Sequence, residues 1–159
     1  MTFDTEEEIR KMRQKVWEDF ELGQKLITEA ITVTEAHIVN FAGITGDFYV
    51  LHMNEEYMKS TAFGTRIAHG PLTFCLAVGL VGQSRIFADS LIGFLGANNL
   101  RFPVPVKPGD TIHVEVEITG KRETSKPDRG VTTMQYVVKN QRQETVATVD
   151  MNFMMHRKG

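Results

Sequence analysis

The chain has 159 residues, 42% of them hydrophobic and 24% charged, with a formal net charge of −2. That length suits one domain with a real core and makes two ordinary domains improbable, and the balanced charge offers no basic excess to nucleic acid or anionic lipid. The single cysteine, Cys75, excludes an intrachain disulfide framework and a cysteine-based zinc site. The opening MTFDTEEEIRKMRQ is acidic and amphipathic and lacks the pattern of a secretory leader, so a cytoplasmic location is expected.

Thr5 and Glu8 have capping-box spacing, and Ile9, Met12, Val16 and Phe20 recur at helical steps, which predicts a helix over Thr5 to Phe20. The turn signal in WEDFELGQ allows the chain to leave that helix early, from Trp17 onward. Lys25 to Thr34, rich in Ile, Thr and Val, is expected to form a first strand, and Thr34 to cap a helix through TEAHIVNFAGIT. His37 falls off that helix's apolar face and reads as solvated. From Gly46 to Phe63 the pattern is aperiodic, which predicts a long loop of functional kind.

Between Ile67 and Phe87 the residues are apolar on every helical face, so this helix has to be enclosed on several sides. Gly79, Gly82, Gln83, Ser84 and Arg85 break the run too early for a membrane span. Leu91 to Val106 reads as a strand whose prolines confine its end to an edge or a turn. Ile112, Val114, Val116 and Ile118 then alternate with polar residues, the cleanest two-residue period in the chain. A polar hairpin loop is expected over Gly120 to Gly130, a strand over Val131 to Lys139, and a last strand in which Thr145, Ala147, Val149, Met151 and Phe153 share a face. The total is four or five antiparallel strands around one buried helix. His113 and His156 read as bland surface histidines.

No nucleophile elbow, phosphate loop or dinucleotide fingerprint is present. Cys75, set in an apolar helix, reads as packing. Asp47, His52 and His69 could be imagined around a metal, but their spacing matches no ligand motif, and no metal is expected. Asp47 and His52 can act as an acid/base pair, or serve as a turn residue and a half-buried filler. What favours chemistry is His69-Gly70-Pro71, which looks like the start of the apolar helix: free N–H groups there can hold a carbonyl oxygen as it gains negative charge. His69 itself reads as structural, through capping or hydrogen bonding at that helix start.

Phe41, Thr45, Gly46, Asp47 and His52, followed by IAHGPL, give the chain its resemblance to a known family. In order and spacing they resemble the signatures of the MaoC-like dehydratases and (R)-specific enoyl-CoA hydratases of the hot-dog fold, and the likeness runs from Trp17 to Met155. One departure is Tyr49-Val50, where the family usually carries Asn-Pro.

The resemblance implies an α+β hot-dog domain over residues 23–159, preceded by an N-terminal helical extension over 1–22, with an antiparallel sheet wrapped around a central helix from about Gly70 to Ser84. It implies reversible hydration of a trans-2-enoyl-CoA to the (R)-3-hydroxyacyl-CoA. Asp47 and His52 would be catalytic; Gly70, with His69 and Tyr49 nearby, would serve the thioester oxygen and the substrate. The CoA thioester is the substrate and no cofactor is implied. Partners are expected to be acyl-CoA and a second copy of the chain in a homodimer or larger assembly, with neither nucleic acid nor membrane. Lys121, Arg122, Lys126 and Arg129 could meet the CoA phosphates, though a solvated hairpin suits them better. A hot-dog thioesterase and a non-catalytic acyl-CoA sensor remain as alternatives.

Overall fold

Alternation of β-branched and polar residues builds the sheet. In the computed structural model, which describes residues 15–158, a short 3-10 turn, Trp17–Asp19, leads into strands β1 (Lys25–Ile27) and β2 (Ile31–Thr32). Helices α1 (Glu35–Thr45), α2 (Val50–Met53), α3 (Glu55–Lys59) and α4 (Gly70–Gln83) follow, and then strands β3 (Leu91–Arg101), β4 (Thr111–Glu123), β5 (Arg129–Asn140) and β6 (Thr145–His156). All pairings are antiparallel in the order β1-β4-β5-β6-β3, with β2 also on β4, making a six-stranded sheet.

The inward residues of β4, Ile112 to Ile118 at every second position, are buried as their period requires. Met134, Tyr136 and Val138 of β5 and Val149, Met151, Phe153 and Met155 of β6 continue that face. Against it lie Leu72, Ala77, Leu80 and Val81 of α4, so the sheet wraps one side of the long helix. Burying side chains of this size stabilises by roughly 1.5–3 kcal/mol each, which makes the helix–sheet contact the main driving force of the fold.

Several expectations need correction. The first strand is two short ones, because Thr28 turns its hydroxyl into the ladder: Oγ1 accepts from the Val114 N–H at 3.0 Å and donates to the Glu29 carbonyl at 2.7 Å. The expected loop after Gly46 contains α2 and α3, which at four and five residues are too short to display a helical period. Strand β3 ends at Arg101, and the Phe102 to Val106 stretch leaves the sheet. The polar hairpin is narrower than expected, since β4 reaches Glu123 and β5 begins at Arg129. Among the described residues the sheet has six strands rather than four or five.

Among the described residues helix α4 is not enclosed all round: Cys75 is exposed, as are Val78, Gly79 and Gly82 on the same stripe. The helix expected over Thr5 to Phe20 lies mostly outside the described residues. Val16 has extended backbone, and Trp17 and Phe20 are buried in the core, so the chain is out of any such helix by Trp17. Among the described residues no helix is long and apolar enough to cross a membrane.

The turn that leads the chain back into β4 is pinned by Asp110, whose side chain is buried. Its carboxylate accepts from the Lys107 N–H at 2.9 Å, the Gln141 amide at 2.8 Å and Arg142 Nη1 at 2.9 Å. Burial pushes the Asp110 carboxyl up, but Arg142, the Lys107 N–H and the Gln141 amide outweigh it and hold it below the ordinary carboxylate range. A carboxyl depressed on folding stabilises the protein above its unfolded-state pKa, and that contribution disappears as the pH falls through the folded value. Asp110→Asn should therefore melt well below wild type at neutral pH. The gap should narrow as thermal melts are taken below the ordinary carboxylate range, and close only once the pH passes the depressed folded value and Asp110 is protonated in both states.

Candidate active site

The site is assembled from three consecutive pieces of chain. Helix α1 ends at Gly46, whose φ of 78° is left-handed and natural for glycine, and whose N–H bonds the Ala42 carbonyl at 2.8 Å. The Thr45 hydroxyl donates to the Phe41 carbonyl at 2.7 Å and accepts from the Asp47 N–H at 3.3 Å. This reversal leaves the Asp47 side chain exposed, with Oδ1 accepting from the Tyr49 N–H at 3.3 Å.

Tyr49 then starts α2 as its N-cap, and its side chain makes no capping bond and is 62% exposed. Asn and Pro, the residues the resembled family carries here, are favoured respectively as N-cap and first helical residue; Tyr49-Val50 forgoes both aids yet still forms the turn. One turn on, half-buried His52 sits with Nδ1 2.8 Å from the Ile67 carbonyl oxygen. A carbonyl can only accept, so Nδ1 carries the hydrogen and Nε2 of the neutral ring is a bare lone pair.

His69 is the N-cap of α4 and is 1% exposed, but its side chain makes no capping bond. Its Nε2 lies 2.9 Å from the Asp47 carbonyl oxygen, and its ring stacks on His52 with centroids 3.8 Å apart and planes inclined by 29°. Phe41 lies against it at 5.0 Å. Asp47, His52 and His69 each bring one donor atom within 4.8 Å of the others. The stack argues against a shared metal, because near-parallel rings send their lone pairs side by side rather than toward one ion.

Helix α4 begins at Gly70, with Pro71 in its first turn. The N–H of Gly70 has no partner within the helix, since the first turn has no preceding carbonyls, and Pro71 has no N–H to offer. Gly70 and His52 both line an apolar cavity of about 410 Å³ with Phe63, Thr73, Phe102 and Val104. A Cβ on residue 70 would come within 3.0 Å of the Phe102 ring, so glycine is what lets that ring close over the helix start. Neither Tyr49, Asp47 nor His69 lines this cavity.

The sequence reading missed the device that holds these pieces together. Arg66 donates from Nη1 and Nη2 to the Glu35 carboxylate at 2.6 and 2.8 Å and from Nε to Glu55 at 3.2 Å, joining α1, α3 and the strap that enters α4. The Arg66 N–H, and then the Thr65 hydroxyl, hold the Glu55 carboxyl below the ordinary carboxylate range. His37, read as solvated, accepts at Nδ1 from the Thr34 N–H at 2.9 Å and so closes the start of α1. Of the four basic hairpin residues, Lys121 donates to the Phe20 carbonyl at 2.6 Å and Arg129 pairs with Asp128.

A family profile described as a MaoC like domain matches residues 19–141. The chain belongs to the MaoC-like family. A curated relative named protein MaoC, from Klebsiella aerogenes, is 40% identical over 116 residues, 73% of this chain and 33% of that protein, so the MaoC-like chain spans only a third of that relative. An (R)-specific enoyl-CoA hydratase from Rhodospirillum rubrum is 36% identical over 109 residues, 65% of this chain and 69% of the relative. Among solved structures, a monoamine oxidase regulatory protein from Archaeoglobus fulgidus superposes with a TM-score of 0.85 at 36% identity, covering 91% of this chain and 96% of that one. A Mycobacterium tuberculosis protein described as a double hotdog fold matches with a TM-score of 0.77 at 21% identity, over 91% of this chain and 44% of that one. The MaoC-like domain is thus a hot-dog α+β domain, its antiparallel sheet wrapped on α4.

Because Arg66 joins three elements through a mostly buried side chain, Arg66→Met should lower stability by about 1–3 kcal/mol. Denaturant titration at neutral pH checks this, and a midpoint equal to wild type would show that the network is dispensable.

Proposed function

We propose that the protein hydrates a trans-2-enoyl-CoA to the (R)-3-hydroxyacyl-CoA, reversibly and without a metal or redox cofactor. Two observations carry this reading: Asp47 and His52 each bring a ligand atom within 4.8 Å of the other, and His52, with a bare Nε2, lines one apolar cavity together with Gly70. Support comes from the relatives named (R)-specific enoyl-CoA hydratase and 3-hydroxybutyryl-CoA dehydratase.

Asp47 and His52 Nε2 are both acceptors. A water donating one hydrogen to each has its oxygen lone pair turned away from both, toward whatever occupies the cavity. With the enoyl group there, that oxygen adds to C3, one water proton passes to the acid/base pair, and the C2=C3 electron pair moves onto the thioester oxygen. The Gly70 N–H, at the positive end of α4, stabilises that enolate. Return of the proton to C2 completes the addition of one water and restores both residues. The CoA moiety is the handle, and the apolar lining of Phe63, Phe102 and Val104 suits the acyl portion.

A second copy of the chain completes this reading. Among the described residues strand β3 is a sheet edge with no further strand on it, carrying Leu91, Phe94 and Leu95 at 41%, 53% and 50% exposure, and α4 offers Val78 at 40%. An exposed apolar edge strand is a ready template for pairing, so we assign it to a homodimer. The exposed Cys75 belongs in a reducing compartment, and we place the protein in the cytoplasm.

Two measurements test the proposal. Loss of enoyl-thioester absorbance with crotonyl-CoA should be rapid for wild type and fall roughly a hundred- to ten-thousand-fold in kcat for Asp47→Asn. Free-thiol release in its place would indicate a thioesterase, and folded protein inactive in both assays would leave a sensor. Sedimentation should show a dimer for wild type and a monomer for Phe94→Lys combined with Leu95→Lys; an unchanged dimer would place the interface elsewhere.

A further inference from the structure

We propose that His69 is a positioning residue that orients Asp47 and His52 together without touching substrate; the proposal rests on the hydratase reading above. His69 is 1% exposed, so its ring is out of substrate's reach. It nevertheless contacts both reacting residues, Asp47 just after α1 and His52 within α2. The Asp47 carbonyl can only accept, so the 2.9 Å contact places the hydrogen on His69 Nε2. That bond anchors the backbone of a residue whose own carboxylate has, among the described residues, a single long contact, the Tyr49 N–H at 3.3 Å. On the other side of the site, the Ile67 carbonyl holds His52 at Nδ1 only, a point about which the ring could swing. The His69 ring stacked 3.8 Å away sets its plane.

Two further observations speak against a merely structural His69. As the N-cap residue of α4 it makes no side-chain capping bond, so helix capping does not account for the imidazole. Its Nδ1 is buried with no hydrogen-bond partner among the described residues. A buried, unpaired ring nitrogen is unfavourable, and a leucine of similar bulk would fill the space without it. The imidazole is accounted for by what Nε2 and the ring face hold in place. Phe41, 5.0 Å away and tilted by 51°, backs the ring in that position.

The test compares His69→Gln, whose amide nitrogen reaches as far as imidazole Nε2 and can still donate to the Asp47 carbonyl, with His69→Leu, which keeps bulk and loses the donor. With crotonyl-CoA, His69→Leu should lose roughly a hundredfold in kcat with little change in KM, as expected for misplaced reacting groups, and His69→Gln should recover about tenfold of that loss. Equal losses in the two variants, an unchanged kcat in His69→Leu, or a loss confined to KM would overturn the proposal.

A readout independent of turnover separates this claim from the hydratase reading. In proton NMR of the wild type, the His69 Nε2–H should be protected from solvent exchange, and the His52 ring protons should carry the ring-current shift of a stacked neighbour. In His69→Leu the His52 signals should move. Absence of that protected proton, or His52 signals that stay put, would overturn the positioning role. Wild type inactive on enoyl-CoA with these NMR signatures intact would instead overturn the hydratase reading.

Discussion

Two hydrogen bonds from imidazole rings to backbone carbonyls hold this site in one arrangement. His52 donates to Ile67 and His69 donates to Asp47, each across a gap in the chain of at least fifteen residues. Because a carbonyl oxygen has nothing to donate, each bond settles a tautomer as well as a distance. His52 is thereby left with its lone pair free, and the backbone of Asp47 is tied to the start of the central helix. The chemistry proposed for the site needs an acceptor at His52 Nε2, and the Ile67 carbonyl selects it.

The fold supplies the fixed frame on which those bonds depend. Helix α4 is seated by apolar contacts with β4, β5 and β6, which sets where the Gly70 N–H points. The Ala68 N–H bonds the Val106 carbonyl at 2.7 Å, linking the strap before α4 to the segment that walls the cavity. That segment is in turn held by the Asp110 turn at the entry to β4. Arg66 gathers α1 and α3 onto the same strap. The exposed acid and the half-buried base thus stand at the end of a continuous set of packed and hydrogen-bonded parts, although neither is itself in the core.

Much of this was legible in the residues, where a repeating physical signal existed. The alternation from Ile112 to Ile118 is a two-residue period, and it appears as β4 with each apolar residue buried. Gly70-Pro71 marked the start of α4, and Gly46 before Asp47 marked the end of α1, because both use backbone properties special to those residue types. Helices α2 and α3 were missed because four or five residues cannot show a period, though Asn54 followed by Glu55 and Glu56 is a capping signal that could have revealed the second. The Arg66 network joins residues 31 and 11 positions apart, and no local pattern encodes such a meeting. Cys75 was misplaced for a related reason: an all-apolar helix was expected to be covered on every side, whereas the described residues leave one stripe of it open. For the candidate site, the spacing of Asp47 and His52 was readable, but the carbonyl partners and the stacked rings were not.

The most direct test of the account is the tautomeric state of the two histidines, read from nitrogen-15 chemical shifts of the imidazole rings at a pH where both are neutral. The account predicts hydrogen on Nδ1 of His52 and on Nε2 of His69, with His52 Nε2 showing the shift of an unprotonated nitrogen. Hydrogen on His52 Nε2 would contradict it, since the ring could then no longer accept from the water held with Asp47.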